Sequence, residues 1–156
     1  MTTPEPAAEP SLAWLCEPGR PLRTIARIWA TVELERALAD LGAEPTRVAA
    51  AIGDPLLGAR VVLVTADDGS PDIALAEPST EGRLAATLAR HDEGPAGRYV
   101  VAPAGLEAVR VRAAAANVQL SQPAIGPFGW SVLVLDGPAA DPSIILVDPA
   151  AVPSRP

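Results

Sequence analysis

Two arginines give the sequence its plainest chemical signal. Arg27 in "TIARIWATV" and Arg98 in "AGRYVVAP" lie 71 positions apart, each inside a run that otherwise reads as an apolar strand. A guanidinium stays protonated and offers a planar fork of donors that matches a carboxylate or phosphate. Period-two alternation puts Arg27 with Trp29 and Thr31 on one strand face, and Arg98 with Val100 and Ala102. Ile28, Ala30 and Val32 take the opposite face, the one expected to pack under a helix, as do Tyr99 and Val101. Two cations turned into one concavity need an anion between them, because desolvating an unpaired guanidinium is costly. Two occupants stay open: the acid group of a small ligand, or the chain's own Glu77 and Asp148. Trp29 and Trp130 are candidates for an apolar wall beside that site.

Other chemistry is scarce. The lone histidine, His91, precedes "DEG" and reads as a surface residue, and the lone Cys16 reads as a plain thiol. Glu93 in the same "DEG" reads as a turn residue. No Gly-rich phosphate loop and no G-x-S-x-G elbow occurs. A formal net charge of −7 argues against a nucleic-acid partner. No apolar run approaches the roughly 20 residues that span a bilayer, and no signal peptide is visible, so no membrane partner and a cytoplasmic location are expected.

The elements that must position the arginines come as two copies. "GARVVLVTADDGSPDIALAEP" (58–78) aligns without a gap on "GWSVLVLDGPAADPSIILVDP" (129–149), again at an offset of 71. In that alignment Trp130 falls on Ala59 and Ser131 on Arg60. Around each copy the order is strand, helix, strand, strand, strand. The first helix, "ELERALADLG", ends at Gly42, and the second, "LEAVRVRAAAAN", at Asn117, both suited to a left-handed C′ position. A connecting helix is expected over "STEGRLAATLARHDEG", with Ser79 and Thr80 as candidate N-caps. The division is a Pro-rich arm over 1–21, whose apolar "LAWLC" could dock on the domain or a partner, and one domain over 22–150. That domain comprises a first unit 22–78, a connector 79–94 and a second unit 95–150, with a loose tail over 151–156. The expected fold class is α+β: tandem βαβββ units whose strands curl into a cup.

A tandem βαβββ pair resembles the vicinal oxygen chelate, or glyoxalase-like, superfamily. "LAATLARHDEGPAGRYVV" is similar to a segment of methylmalonyl-CoA epimerases and their relatives, and "IALAEP" and "IILVDP" resemble strand endings of that family. In its metal-using members four side chains from symmetric strands hold a divalent ion in the cup. Carried onto this sequence, the resemblance places those positions at Arg27, Ala74, Arg98 and Ile145, none of which ligates a metal. It therefore implies a cup without metal or other cofactor.

The function expected from these readings is metal-independent binding of a small, partly apolar organic anion. Its site would comprise Arg27, Trp29, Thr31, Ala74, Arg98, Val100, Trp130 and Ile145. The protein would be an isomerase, cyclase, lyase or binding protein of specialised metabolism, and a homodimer. Two alternatives stand beside it: a metal-dependent epimerase or lyase with differently placed ligands, and a non-catalytic structural or partner-binding module.

Overall fold

The computed structural model describes residues 12–19, 22–65, 71–135 and 142–149. β1 (Arg23–Ala30) leads into α1 (Leu34–Asp40), a 3-10 segment (Pro45–Ala50), β2 (Ile52–Asp54), β3 (Ala59–Val64) and β4 (Asp72–Pro78). The connector forms α2 (Arg83–His91). β5 (Gly94–Val101), α3 (Leu106–Ala115), β6 (Ala124–Gly126), β7 (Gly129–Leu133) and β8 (Ser143–Val147) follow, so the βαβββ order occurs twice. Gly42 and Asn117 take positive φ at the ends of α1 and α3, as their residue types predict. Ser79 and Thr80 do not cap α2. Their amides bond the Gly58 carbonyl in a turn, and the helix starts after Gly82 with no side-chain cap.

All eight strands form one sheet in the order β2-β3-β4-β1-β5-β8-β7-β6. The halves meet where β1 and β5 run antiparallel, with Arg27 opposite Arg98, Ala26 opposite Tyr99 and Ile28 opposite Gly97. With the offset of 71 removed, this pairing maps onto itself, so a pseudo-twofold axis passes between the two arginines. The flanking parallel pairs agree: Arg27 faces Ile73 on β4 as Arg98 faces Ile144 on β8. The two edges, β2 and β6, come together. A Cβ on Gly126 would stand 3.3 Å from Asp54 Cγ. The sheet is thus curved nearly into a barrel.

The symmetry breaks at β7. Arg60 pairs with Glu77 and Val61 with Ala76, but Ser131 pairs with Val147 and Val132 with Leu146. β7 is slipped one residue from the gapless alignment, and a one-residue slip exchanges the faces. Trp130 therefore occupies the outward place of Arg60 rather than that of Ala59, and Ser131 the inward place of Val61. Ser131 is 2% exposed and Trp130 53%.

Three apolar clusters follow from the pleat. The barrel interior packs Ala26, Ile28, Val61, Tyr99 and Ile145 with Leu84 and Leu88 of α2. Outside, α1 sets Leu34 and Leu38 on Val62 and Leu75. Also outside, α3 sets Val109 near Val132, Ile144 and Leu146, and the 3-10 turn Ala13–Leu15 joins it there. Leu12 and Leu15 are buried in that outer cluster, so "LAWLC" docks on the domain. Gly97 permits the tight central pairing, because a Cβ there would lie 2.0 Å from the Ser143 carbonyl oxygen.

Candidate functional site

The cup is lined by the inward residues of the central strands. Around the pseudo-twofold axis these are Ala26, Ile28, Gly97 and Tyr99, with Ala74 beside Ile28 and Ile145 beside Tyr99. Ala74 and Ile145 thus face inward. Both are fully buried, and the side chains around them leave this part of the interior packed.

The arginines face the other way. Their cross-strand neighbours Ile73 and Ile144 belong to the outer layers that carry α1 and α3, and cross-strand partners share a sheet face. Arg27 is exposed, and Trp29, opposite Leu75, is 44% exposed on the same outer side. Arg98 Nη1 donates to Thr24 Oγ1 at 3.0 Å. Val100 packs outside with Val109. Ile28, Ala30 and Tyr99, expected under the helices, point into the barrel instead. The reason is that both faces of β1 and β5 meet apolar surroundings in places, so alternation finds two faces without saying which is concave. The anion expected between Arg27 and Arg98 therefore meets neither of them inside the cup.

Thr31 is buried where β1 ends, and its hydroxyl donates to Glu93 Oε1 at 2.9 Å. The same oxygen accepts from the Val32 amide at 2.8 Å and from Arg36. Glu93 is thus a clasp from the connector onto the β1–α1 junction, more than a turn residue. The Val32 amide and the Thr31 hydroxyl hold its carboxyl below the usual range. Glu77 Oε1 accepts from Arg60, and its Oε2 accepts from the Leu34 amide at the start of α1, so its carboxylate is spent there rather than on Arg27 or Arg98.

One polar pair does cross the interior. Tyr99 Oη, from β5, donates to Asp54 Oδ2, at the end of β2, at 2.5 Å. Asp54 Oδ1 accepts from the Leu56 amide at 2.9 Å. Asp54 is 1% exposed and is the one buried carboxylic acid among the described residues. Burial pushes its carboxyl above the ordinary range, against hydrogen bonds from Tyr99 and from the Leu56 and Leu57 amides. Burial and the neighbouring Asp54 charge push the Tyr99 phenol well up, so it stays a donor. Phe128 packs against the Tyr99 ring at 5.0 Å between centroids. The sequence flagged neither member. The available signals were an acid ending the second strand and the chain's single tyrosine on a central one.

No protein-family model and no curated protein matches the chain. Solved structures do. Methylmalonyl-CoA epimerase from Mycobacterium tuberculosis superposes with a TM-score of 0.65 at 15% identity, covering 81% of this chain and 89% of that one. A Streptomyces coelicolor methylmalonyl-CoA epimerase variant in complex with 2-nitronate-propionyl-CoA gives 0.61 at 20% identity, covering 85% and 98%. A hypothetical protein from Bacillus halodurans C-125 gives 0.62 at 16%, covering 81% and 94%. The chain has the vicinal oxygen chelate fold. At these identities the likeness establishes this glyoxalase-like architecture and no activity.

The inward residues nearest the axis carry few atoms able to ligate a divalent ion. Among Ala26, Ile28, Ala74, Gly97, Tyr99 and Ile145 only Tyr99 bears a side-chain heteroatom, and its hydroxyl is committed to Asp54, while Asp72 and Ser143, opposite Ala26 and Gly97, add oxygen atoms at the strand starts. Among the described residues no three His, Cys, Asp or Glu side chains gather as a metal site. No described helix is long and apolar enough to cross a membrane.

Proposed function

We propose that this glyoxalase-like protein binds a small, partly apolar organic molecule without using a metal ion on its cup strands. The observation that carries this reading is the identity of the inward residues: Ala26, Ile28, Ala74, Gly97, Tyr99 and Ile145 stand on the symmetric strands around the axis. A Lewis-acid role needs oxygen or nitrogen ligands with an open coordination position. These residues supply hydrocarbon and one phenol. The epimerases of similar fold were solved with acyl-CoA compounds, but identities of 15–20% support a shared architecture rather than a shared substrate. Among these six residues only the Tyr99 phenol could move a proton, and it is committed to Asp54, which favours binding over chemistry on the ligand.

The test is elemental analysis and native mass spectrometry of protein purified from its host. The expected result is less than stoichiometric divalent metal, with a small organic molecule retained. About one transition metal per chain, resistant to mild chelation, overturns the reading.

The packed interior also favours a second reading, a partner-binding module whose cup is filled by its own residues. Here the same spectra would show the bare chain mass, and no metabolite would shift the melting temperature.

A further inference from the structure

The first half of the sheet is hollowed by alanine where the second is filled. On the inward face Ile28 and Ala30 stand beside Ala74 and Ala76, whereas at the equivalent places Tyr99 and Val101 stand beside Ile145 and Val147. Each residue of the first set is smaller than its counterpart. Protein interiors pack closely and leave few such deficits empty, and here α2 fills it. The helix packs against β1, β4 and β5. Its Leu84, 1% exposed, and its Leu88 join the interior cluster that holds Ala26, Ala30, Ala76 and Ala96. The other half has no such guest among the described residues. By the offset of 71, the counterpart of α2 ahead of β1 is 12–20, and residues 12–15 of it pack outside, near Val109 and Ile144.

The ends of α2 suit a segment that lifts. The helix starts after Gly82 with no side-chain cap, and a missing cap weakens a helix end. It stops at Asp92, whose φ of +65° is a left-handed conformation that residues with a side chain adopt sparingly. Glu93 then fastens the connector to the β1–α1 junction through the Thr31 hydroxyl, the Val32 amide and Arg36. Glu93 itself is exposed, so this latch lies at the surface while the leucines it secures lie in the cup.

We infer that the alanine-lined hollow is a binding site for a neutral aliphatic group, with α2 as its displaceable occupant. This rests on the small-molecule reading above and names which part of the ligand the cup takes. The wall and the guest together define the ligand class. Ala26, Ile28, Ala30, Ala76 and Ala96 carry no heteroatom in their side chains, so a polar group seated on them would lose its water without a partner in return. Leu84 and Leu88 show that hydrocarbon fits there. A ligand shifts the helix only if it binds the open state better than the closed one, and an alkyl chain longer than a leucine side chain has more apolar surface to bury.

The experiment uses the full chain and two matched probes, 1-octanol and 1,8-octanediol, in calorimetry and in hydrogen exchange read by mass spectrometry. 1-Octanol should bind the wild-type protein and, at saturation, raise exchange across α2 at least threefold while β5 exchanges no faster. The diol, which would have to bury its second hydroxyl, should bind at least tenfold more weakly. Glu93→Ala releases the latch. It should speed α2 exchange without ligand and bind 1-octanol at least threefold more tightly, because a larger share of the protein is open. Ala76→Val gives β4 the residue that β8 has at Val147 and should weaken 1-octanol at least tenfold. If that variant does not fold, Glu93→Ala, at an exposed position, carries the test. Exchange across α2 that saturating 1-octanol leaves unchanged or slows, equal binding of alcohol and diol, or wild-type affinity in Glu93→Ala overturns the inference. So does the absence of 1-octanol binding. Host-purified protein that retains a small molecule, while 1-octanol leaves α2 unmoved, rejects the hollow and keeps the proposed function. Bare-chain spectra, with no metabolite shifting the melt, reject both.

Discussion

Arg27 and Arg98 stand directly opposite each other across the β1–β5 pair, on the pseudo-twofold axis and on the outer face of the sheet. Like charges placed directly opposite in an antiparallel pair destabilise it, by roughly 0.2–1 kcal/mol relative to a neutral pair. Arg98 is held by Thr24, whereas Arg27 is exposed. Arg27→Met should therefore keep or raise stability, with a gain that shrinks as salt screens the pair. It should leave small-molecule binding unchanged, because the side chain does not face the cup. Urea melts at low and high ionic strength check the first point and calorimetry the second. A variant that unfolds earlier than wild type at low salt contradicts this account.

Asp54 gives a pH dependence of definite sign. Its folded pKa is raised above the ordinary 3.8. A raised carboxyl contributes stability that is fully present below its unfolded value and is lost as pH rises through the folded value. Asp54→Asn removes that titration. The stability of wild type relative to Asp54→Asn should therefore fall as pH climbs from below 3.8 towards neutrality. Denaturant melts across that window measure it, and a difference that stays flat rules the linkage out. Tyr99→Phe removes the donor to a buried acid and should cost about 1–3 kcal/mol.

The repeat was legible because its offset of 71 recurs in β1 and β5, in β4 and β8 and in the arginines, and the helix ends because Gly42 and Asn117 suit a left-handed turn. The direction of β1 was not. Its inward residues Ala26, Ile28 and Ala30 are small or aliphatic, as a strand face under a helix would be, but α1 and α3 sit over β3–β4 and β7–β8, and only the connector helix α2 reaches the inward face. Arg27 and Trp29 take the outer face with Ile73 and Leu75, and both are exposed there. The slip of β7 was hidden for a different reason. The aligned stretches match well without a gap, and register is set by pairing with β8 rather than by similarity to β3. Asp54 escaped notice because an acid at the end of a strand ordinarily faces solvent. Its counterpart at the end of β6 is Gly126, whose missing side chain leaves the room the carboxyl occupies.

The bare outer face bears on assembly. Trp29 and Arg27 lie between the helix-covered halves, and a twofold pair is the commonest oligomer. A homodimer is the expected state, with Trp29→Glu weakening it. Sedimentation that returns only the 16.0 kDa monomer at high concentration contradicts it.

Glu77 supplies what α1 lacks. The helix begins after Glu33 with no side-chain cap of its own. Glu77, from β4, reaches it instead, accepting from the Leu34 amide at 2.8 Å while its other oxygen accepts from Arg60 at 2.7 Å. Partial burial pulls its carboxyl upward, but the Arg60 and Leu34 hydrogen bonds and the Arg60 charge outweigh that, and its pKa falls below the ordinary 4.5. A depressed carboxyl contributes stability that is present above the unfolded value and is lost as pH falls through the folded value. Glu77→Ala removes both acceptors and should cost about 0.5–2 kcal/mol, the range for losing a helix N-cap. Glu77→Gln keeps one oxygen for Leu34 and should cost less. Because the neutral acid resembles the amide, wild type and Glu77→Gln should converge once pH drops below the folded pKa, the opposite trend to Asp54. Urea melts of the three proteins at neutral and strongly acidic pH resolve the two trends. A Glu77→Ala protein as stable as wild type at neutral pH would show that α1 is held by Leu34 and Leu38 alone.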